Sequence, residues 1–310
     1  MSEPRTYDKQ EVELSNLEKV FFPESGYTKG DLVDYYERIA DTMLPYIEGR
    51  PLTMIRFPNG IDDKKFFQKD APDYFPDWIA KKSLEKKEGG STNYVICNDK
   101  ASLVYLANQA CVTPHIWLSR QDKPEKPDRM IFDLDPSQEG FDAIKEAAFS
   151  IRELLENELG LPLFLMTTGS RGLHLVTPLK REHDFDEVRD FAQQAAKYLE
   201  RQFPDTMTTA TRKQKREDKL FLDVARNAWA QTSVAPYAVR PIEGAPVATP
   251  IDWEELKKPE LSAQSYTIKN IFRRLGSKED PWKNIEDKKV GLSEARKKLE
   301  KLIEKTSEDS

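Results

Sequence analysis

The chain has 310 residues, 38% hydrophobic and 33% charged, enough apolar side chain to build one large domain or two joined subdomains. Its 48 Lys and Arg against 54 Asp and Glu leave a net charge of −6, which excludes a surface coated throughout by nucleic acid but permits a local basic groove. No stretch approaches the roughly 20 consecutive apolar residues of a membrane span, the N-terminus MSEPRTYDKQEVELS has no apolar signal core, and Cys97 and Cys111 cannot staple so long a chain. A soluble, reduced, intracellular protein is expected.

Thr28-x-x-Asp31 reads as a capping box opening a helix, with Leu32, Tyr35, Tyr36, Ile39 and Met43 at helical spacing and Gly49 and Pro51 as the stop. LTMIRF, NYVIC and LVYLA read as short strands or buried segments between proline-rich and lysine-rich loops. A polar linker, 121–128, precedes a cleaner alternation. MIFDLD is a strand. Residues 141–159 form a helix with Ile144, Ala148, Ile151, Leu155 and Leu159 on one stripe, ended by Gly160 and Pro162. LFLMTT and LHLVTPL are strands around the turn 169–172. Residues 186–202 form a helix capped by Asp184 with Glu187, and KLFLDVA is a further strand. Strand-helix-strand-strand-helix-strand is the split βαβ order of ferredoxin-like sheets. Residues 288–306 read as a surface helix and frayed tail.

Basic side chains cluster at Lys64, Lys65 and Lys69, at Lys81, Lys82, Lys86 and Lys87, and at Arg212, Lys213, Lys215, Arg216 and Lys219. Such patches either track a phosphate backbone or are solvated faces.

Asp133 and Asp135, at i and i+2 on a strand, project from one face about 6.6 Å apart along it, a spacing at which a carboxylate pair can share divalent metals. The competing reading is a strand end followed by an Asp-Pro turn. Asp223 lies in the apolar strand LFLDV, where an unpaired carboxylate is costly to bury. Either it is a third metal ligand or it is salt-bridged by Arg226 or Arg240. Between these strands lies TTGSRGLH, in which Gly169 and Gly172 let backbone amides turn toward an anion and Thr168, Ser170, Arg171 and His174 add donors. As a phosphate cradle it competes with an ordinary Gly-rich hairpin carrying a packed histidine.

FDLDP, TTGSRGLH and FLDVARNAWAQTSVAPYAVR, in that order, resemble the polymerase domain of bacterial DNA ligase D, a branch of the archaeo-eukaryotic primase superfamily. LSNLEKVFFP, YTKGDLVDYYERIA, RPLTMIRFPNGID, FFQKDAP, LANQ, WLSR and PVATPIDWEEL extend the resemblance from about residue 12 to the C-terminal tail. The resemblance implies an α/β (α+β) primase-polymerase core in two subdomains, with a ferredoxin/RRM-like sheet carrying the active site. The expected organisation is one primase-polymerase domain over 1–310, with an N-terminal subdomain of about 1–128. The catalytic sheet takes about 129–250, and a C-terminal extension and helix take about 251–310.

Carried over by residue, the resemblance makes Asp133, Asp135 and Asp223 the catalytic triad holding two divalent ions, Mn2+ or Mg2+. Thr168, Ser170, Arg171 and His174 would hold the phosphates of an incoming NTP or dNTP, with Arg240, His115 and Arg56 in the same nucleotide pocket. Asn16, Lys19 and Lys29 would grip a DNA 5′-phosphate, and Phe66 and Phe67 would pack against the template. Thr168 and Arg171 stand where many relatives have serine and lysine; both keep a donor. The implied function is a stand-alone, template-dependent DNA/RNA polymerase that fills short gaps at double-strand breaks in non-homologous end joining and prefers ribonucleotides. Its implied partners are gapped or overhanging DNA with a 5′-phosphate, Ku and a separate ATP-dependent DNA ligase, without a membrane, in the cytoplasm of a prokaryote near the nucleoid. Two rivals are a non-catalytic DNA-end-binding module, which gains nothing from three clustered carboxylates, and a haloacid-dehalogenase-like phosphatase. MIFDLD also resembles the D-x-D strand of the latter, but here Pro136-Ser137 follows.

Overall fold

The capping box at Thr28 forms as the sequence predicts. Thr28 Oγ1 accepts from Asp31 N at 3.2 Å, Asp31 Oδ2 accepts from Thr28 N at 2.7 Å, and the helix Lys29–Ile47 follows with Leu32, Tyr35, Tyr36, Ile39 and Met43 buried. The computed structural model describes residues 2–86, 89–138 and 140–308, so Lys87 of the second basic cluster lies outside the described residues. The chain forms two compact units, Met1–Asp122 with Thr232–Thr249 and Tyr266–Arg274, and Lys123–Gln231 with Pro250–Ser265 and Leu275–Ser310.

In the first unit a sheet orders the strands Thr232–Val234, Cys111–Trp117, Pro51–Arg56, Ser91–Ile96 and Lys81–Glu85, and Phe66–Gln68 also pairs with Pro51–Arg56. Of the two readings offered for LVYLA, strand or buried segment, the second holds. It belongs to the helix Lys100–Asn108, opened by Asp99, whose Oδ1 accepts from Ser102 N at 2.7 Å. All of its residues from Ala101 to Asn108 are buried, so it carries no polar stripe from which a helical period could be read. Residues 232–249, read from sequence with the catalytic sheet, return to this unit. Val234 pairs opposite His115, Tyr35 OH donates to Tyr237 O at 2.7 Å and Thr113 Oγ1 donates to Val239 O at 2.6 Å.

In the second unit the sheet order is Met207–Thr208, Leu220–Asp223, Arg129–Asp135, Leu173–Pro178, Phe164–Thr167 and Thr249–Ile251. Numbering the four sequence-predicted strands in chain order, their spatial order is 4-1-3-2 with every neighbour antiparallel, the ferredoxin-like arrangement. The intervening helices are Asp142–Arg152, continued by a π-turn through Glu158, and Phe185–Gln202, whose Asp184 and Glu187 form the expected capping box. Met207–Thr208 adds parallel to Leu220–Asp223.

The helix expected within 288–306 forms as Ser293–Glu308, and both it and the segment before it are docked rather than frayed. Trp282 Nε1 donates to Leu165 O at 2.9 Å, and Leu292, Ala295 and Leu299 are buried. From the helix Ser293–Glu308, Arg296 Nη1 reaches Asp190 Oδ2 at 2.8 Å. Among the described residues no helix is long and apolar enough to cross a membrane.

Candidate active site

The strand Arg129–Asp135 is central in the second unit's sheet, and its register decides which side chains meet. Asp133 lies directly opposite Asp223 on one neighbour and opposite His174 on the other, so the three side chains share one face in a row across three strands. Asp135, two residues on, shares that face and lies opposite Phe221. Asp133, Asp135 and Asp223 are half-buried, and His174 is buried.

Each carboxylate has its own neighbours. Asp133 Oδ1 is 3.4 Å from His174 Nε2 and its Oδ2 is 3.6 Å from Arg226 Nε. Asp135 lies between two guanidinium groups, Arg171 Nη2 at 3.1 Å and Arg216 Nη1 at 3.4 Å. Arg226, offered by the sequence as a salt-bridge partner of Asp223, pairs with Asp133 instead. Asp223 makes no ion pair among the described residues: its Oδ1 accepts from Ala225 N at 2.8 Å and its Oδ2 has no partner there. Among the described residues no three His, Cys, Asp or Glu side chains converge as a ready-made metal cluster.

The loop joining Phe164–Thr167 to Leu173–Pro178 is shaped from inside. Thr168 Oγ1 accepts from Gly172 N at 3.1 Å and from Ser170 N at 3.3 Å, and the strands are closed by Thr168 N donating to Gly172 O at 3.1 Å. Two of the amides that the sequence offers to an anion are therefore spent on a buried threonine. Gly169 has φ +66°, which a side chain rarely adopts. Gly172 has a different constraint: a Cβ there would stand 2.3 Å from Leu134 O. The absent side chain lets the loop lie directly on the strand that carries Asp133 and Asp135. Arg171, its side chain 61% exposed, projects beside a cleft of about 440 Å³ lined by Pro136, Ser137, Phe141, Ser170 and Gln264, whose Nε2 donates to Ser170 O at 2.7 Å.

Two residues of this site carry more than sequence reasoning gives them. Arg216, placed only in a basic patch, is buried: it stacks 3.8 Å above the Phe221 ring and donates to Ala210 O and Thr211 O, each at 3.1 Å, while facing Asp135. Asn227 is buried and stands in for a ladder partner of Ile131, accepting from its N at 2.9 Å and donating to its O at 2.8 Å. That pair fixes the turn after Asp223, and with it Arg226. Neither carries a local sequence signal beyond an arginine shortly before an apolar strand and an asparagine beside an arginine.

The remaining candidates lie in the first unit. Asn16, with φ +53°, and Lys19 share a turn in which Lys19 N donates to Asn16 O at 3.1 Å, and Lys29 N donates to Lys19 O at 2.8 Å. Lys19 Nζ reaches Pro58 O at 2.6 Å and Asn59 Oδ1 at 2.7 Å, and Lys29 Nζ reaches Ser15 O at 2.6 Å. Burial and, behind it, the charge of Lys19 lower the Lys29 ammonium to about 8. Arg56 and His115 are on adjacent strands of the sheet, and Arg56 is held by Gln109 O at 2.7 Å, Gln68 Oε1 at 2.6 Å and Tyr74 OH at 3.0 Å. Arg240 follows Val239, which the Thr113 hydroxyl anchors beside the same sheet. Phe66 and Phe67, opposite Arg56 and Ile55, are 52% and 63% exposed, so neither ring enters the core.

Residues 28–282 match the family described as the LigD primase-polymerase domain. The chain is 36% identical over 266 residues to the multifunctional non-homologous end joining DNA repair protein LigD of Mycobacterium tuberculosis, covering 83% of this chain and 35% of that protein. It is 31% identical over 266 residues to the bifunctional LigD of Bacillus subtilis, covering 85% and 42%. It thus spans about a third of the length of the mycobacterial relatives it matches. A solved polymerase domain of M. tuberculosis ligase D in complex with DNA superposes with a TM-score of 0.84 at 32% identity, covering 91% of this chain and all of that one. With most of its length matched by the family and by that solved domain, the chain belongs to the LigD primase-polymerase domains.

Proposed function

We propose that this protein is a metal-dependent, template-directed nucleotidyltransferase that fills short gaps at DNA double-strand breaks in non-homologous end joining. The observation that carries the reading is the row Asp223, Asp133, His174 with Asp135 on the same face, overlaid by a glycine loop bearing an exposed arginine. An all-carboxylate donor set suits a hard divalent cation, and the unpartnered Oδ2 of Asp223 beside Asp133 is a free ligand position. The set fits once Arg171 and Arg216 release Asp135, so Asp133, Asp135 and Asp223 are the residues that would hold Mn2+ or Mg2+. Bound there, such ions would supply charge stabilisation for phosphoryl transfer.

In the reaction the primer 3′-oxygen forms a bond to the α-phosphorus of the incoming nucleotide, the α–β bridging bond breaks and pyrophosphate leaves. Arg171 exchanges Asp135 for phosphate oxygens, to which its planar fork is matched. Thr168 keeps the loop in shape, Ser170 supplies a hydroxyl and His174 orients Asp133. In the first unit Asn16, Lys19 and Lys29 bind a 5′-phosphate, Phe66 and Phe67 offer stacking faces to template bases, and Arg56, His115 and Arg240 contact the nucleotide. The preferred substrates are ribonucleotides, the preferred ion is Mn2+, and the partners are Ku and a separate ATP-dependent DNA ligase at the prokaryotic nucleoid in the cytoplasm.

The test is primer extension on a short gapped duplex with a 5′-phosphate, comparing ribonucleotides with deoxynucleotides and Mn2+ with Mg2+. Templated addition, greatest with ribonucleotides and Mn2+, supports the reading. Binding of the gap with no addition under any combination replaces it with a non-catalytic end-binding module.

A further inference from the structure

A second basic recess borders Asp223 on the side away from the glycine loop. In the sheet order the loop 168–172 belongs to the strands on one flank of Arg129–Asp135, while Leu220–Asp223 and Met207–Thr208 lie on the other. On that other flank a cavity of about 190 Å³ is lined by Arg189, Gln193, Lys197, Thr209, Thr211 and Asp223. Arg189 and Lys197 come from the helix Phe185–Gln202 and both reach this recess.

The charges around it are unbalanced in one direction. Arg189 Nε is buried with no hydrogen-bond partner among the described residues. The adjacent carboxylate, Asp190, is taken by Arg296 at 2.8 Å and Gln194 at 2.7 Å. Glu200, the other acid near the recess, spends its oxygens on the Thr208 hydroxyl at 3.0 Å and on the Thr209 amide and hydroxyl at 2.9 and 2.7 Å. Asp223 is the acid in the lining itself, and in the proposed reaction it is a metal ligand. A desolvated guanidinium nitrogen without an acceptor is costly, and an anionic ligand removes that cost.

We propose that this recess binds a phosphodiester of the primer strand, close behind its 3′ end. The inference rests on the polymerase reading above and adds the site that holds the attacking strand. In-line displacement places the attacking and leaving groups on opposite sides of the reacting phosphorus. With Arg171 and its loop on one flank of Asp133 for the nucleotide phosphates, the strand that brings the 3′-hydroxyl belongs on the other, where Asp223 borders Arg189, Lys197 and Thr211. An arginine fork and a lysine point charge hold a phosphate without reading its base, as a gap-filling enzyme requires.

The experiment pairs the variant Arg189→Gln/Lys197→Gln with primers carrying one neutral methylphosphonate at the first, second or third linkage from the 3′ end. Binding of the gapped duplex is read by fluorescence anisotropy and extension is read separately, with Arg189→Lys as the conservative variant and circular dichroism to verify folding. Wild type is expected to lose about tenfold in affinity at one of the three linkages, the double variant to lose a similar factor with an unmodified primer, and the two losses not to multiply. Arg189→Lys is expected to recover part of the loss. Multiplying losses, or a folded double variant that binds and extends like wild type, overturn the site while leaving the polymerase reading intact. A wild type with the linkage-specific loss in binding but no extension keeps the site and overturns the polymerase reading.

Discussion

Asp133 and Asp223 stand directly opposite one another on adjacent antiparallel strands, two carboxylates on one face with His174 completing the row. Like charges directly opposite in a sheet are destabilising, and a cation between them removes the penalty. Mn2+ is therefore expected to raise the Tm of wild type, following the logarithm of its free concentration. Asp223→Asn is expected to raise the metal-free Tm and abolish the Mn2+ response. A Tm of Asp223→Asn that still climbs with Mn2+ would place the ion elsewhere. Differential scanning fluorimetry reads both.

Arg216 faces Asp135 from a buried position while holding Ala210 O and Thr211 O and stacking on Phe221. Arg216→Met removes a cation that competes for the carboxylate and strips two carbonyls of a donor. The expected outcome is tighter Mn2+ binding by calorimetry, together with a loss of stability of about 1–3 kcal/mol in chemical denaturation. Weaker Mn2+ binding would show that Arg216 supports the carboxylate rather than competing for it.

Gly172 has no room for a side chain, because its Cβ would meet Leu134 O at 2.3 Å, whereas Gly276, in the helix Ile271–Ser277, has nothing within 4 Å. Gly172→Ala is expected to cost about 1–3 kcal/mol and to displace the loop that carries Arg171. Its KM for nucleotide should rise more than its stability loss explains. Gly276→Ala is expected to be neutral or to stabilise by up to about 1 kcal/mol. Equal behaviour of the two variants in denaturation and in nucleotide titration would contradict the close approach.

Lys29 is poised to lose its charge in a usable pH range. Burial and the neighbouring Lys19 bring its ammonium down to about 8, against roughly 10.4 for an exposed lysine. Between these two values the unfolded chain holds one proton more, so this group's contribution to stability rises with pH while its charge, needed for the proposed 5′-phosphate contact, falls. The advantage of a 5′-phosphorylated gap over an unphosphorylated one is expected to decline as pH rises through about 8. Lys29→Arg should carry that advantage to higher pH. Binding of both gaps between pH 6.5 and 9.5 measures it, and a flat ratio in wild type would remove Lys29 from the site.

Local chemistry made much of both units legible in the sequence. The Thr28 and Asp184 capping boxes, the D-x-D strand end, the glycine turn and the split βαβ order each rest on residues within a few positions of one another. What stayed hidden depends on distant partners. Arg216 meets Asp135 across 81 positions and Asn227 pairs with Ile131 across 96, so neither role leaves a mark on its neighbours. LVYLA hid its helix because burial on all sides erases the amphipathic period. The return of residues 232–249 to the first unit is made by strand pairing with Cys111–Trp117 and by the Tyr35 and Thr113 hydroxyls, a tertiary choice that no local pattern encodes. The carboxylate row could be anticipated from residue types, but its alignment is a matter of register, which only the paired strands fix.

The central claim is that Asp133, Asp135 and Asp223 on one sheet face drive nucleotide addition. Its most direct test is extension of a 5′-phosphorylated gapped duplex by wild type and by Asp133→Asn, with gap binding measured on the same samples. The prediction is templated addition by wild type and a loss of about a thousandfold or more in the variant, with binding unchanged or tighter. Addition by folded Asp133→Asn at the wild-type rate would contradict the account.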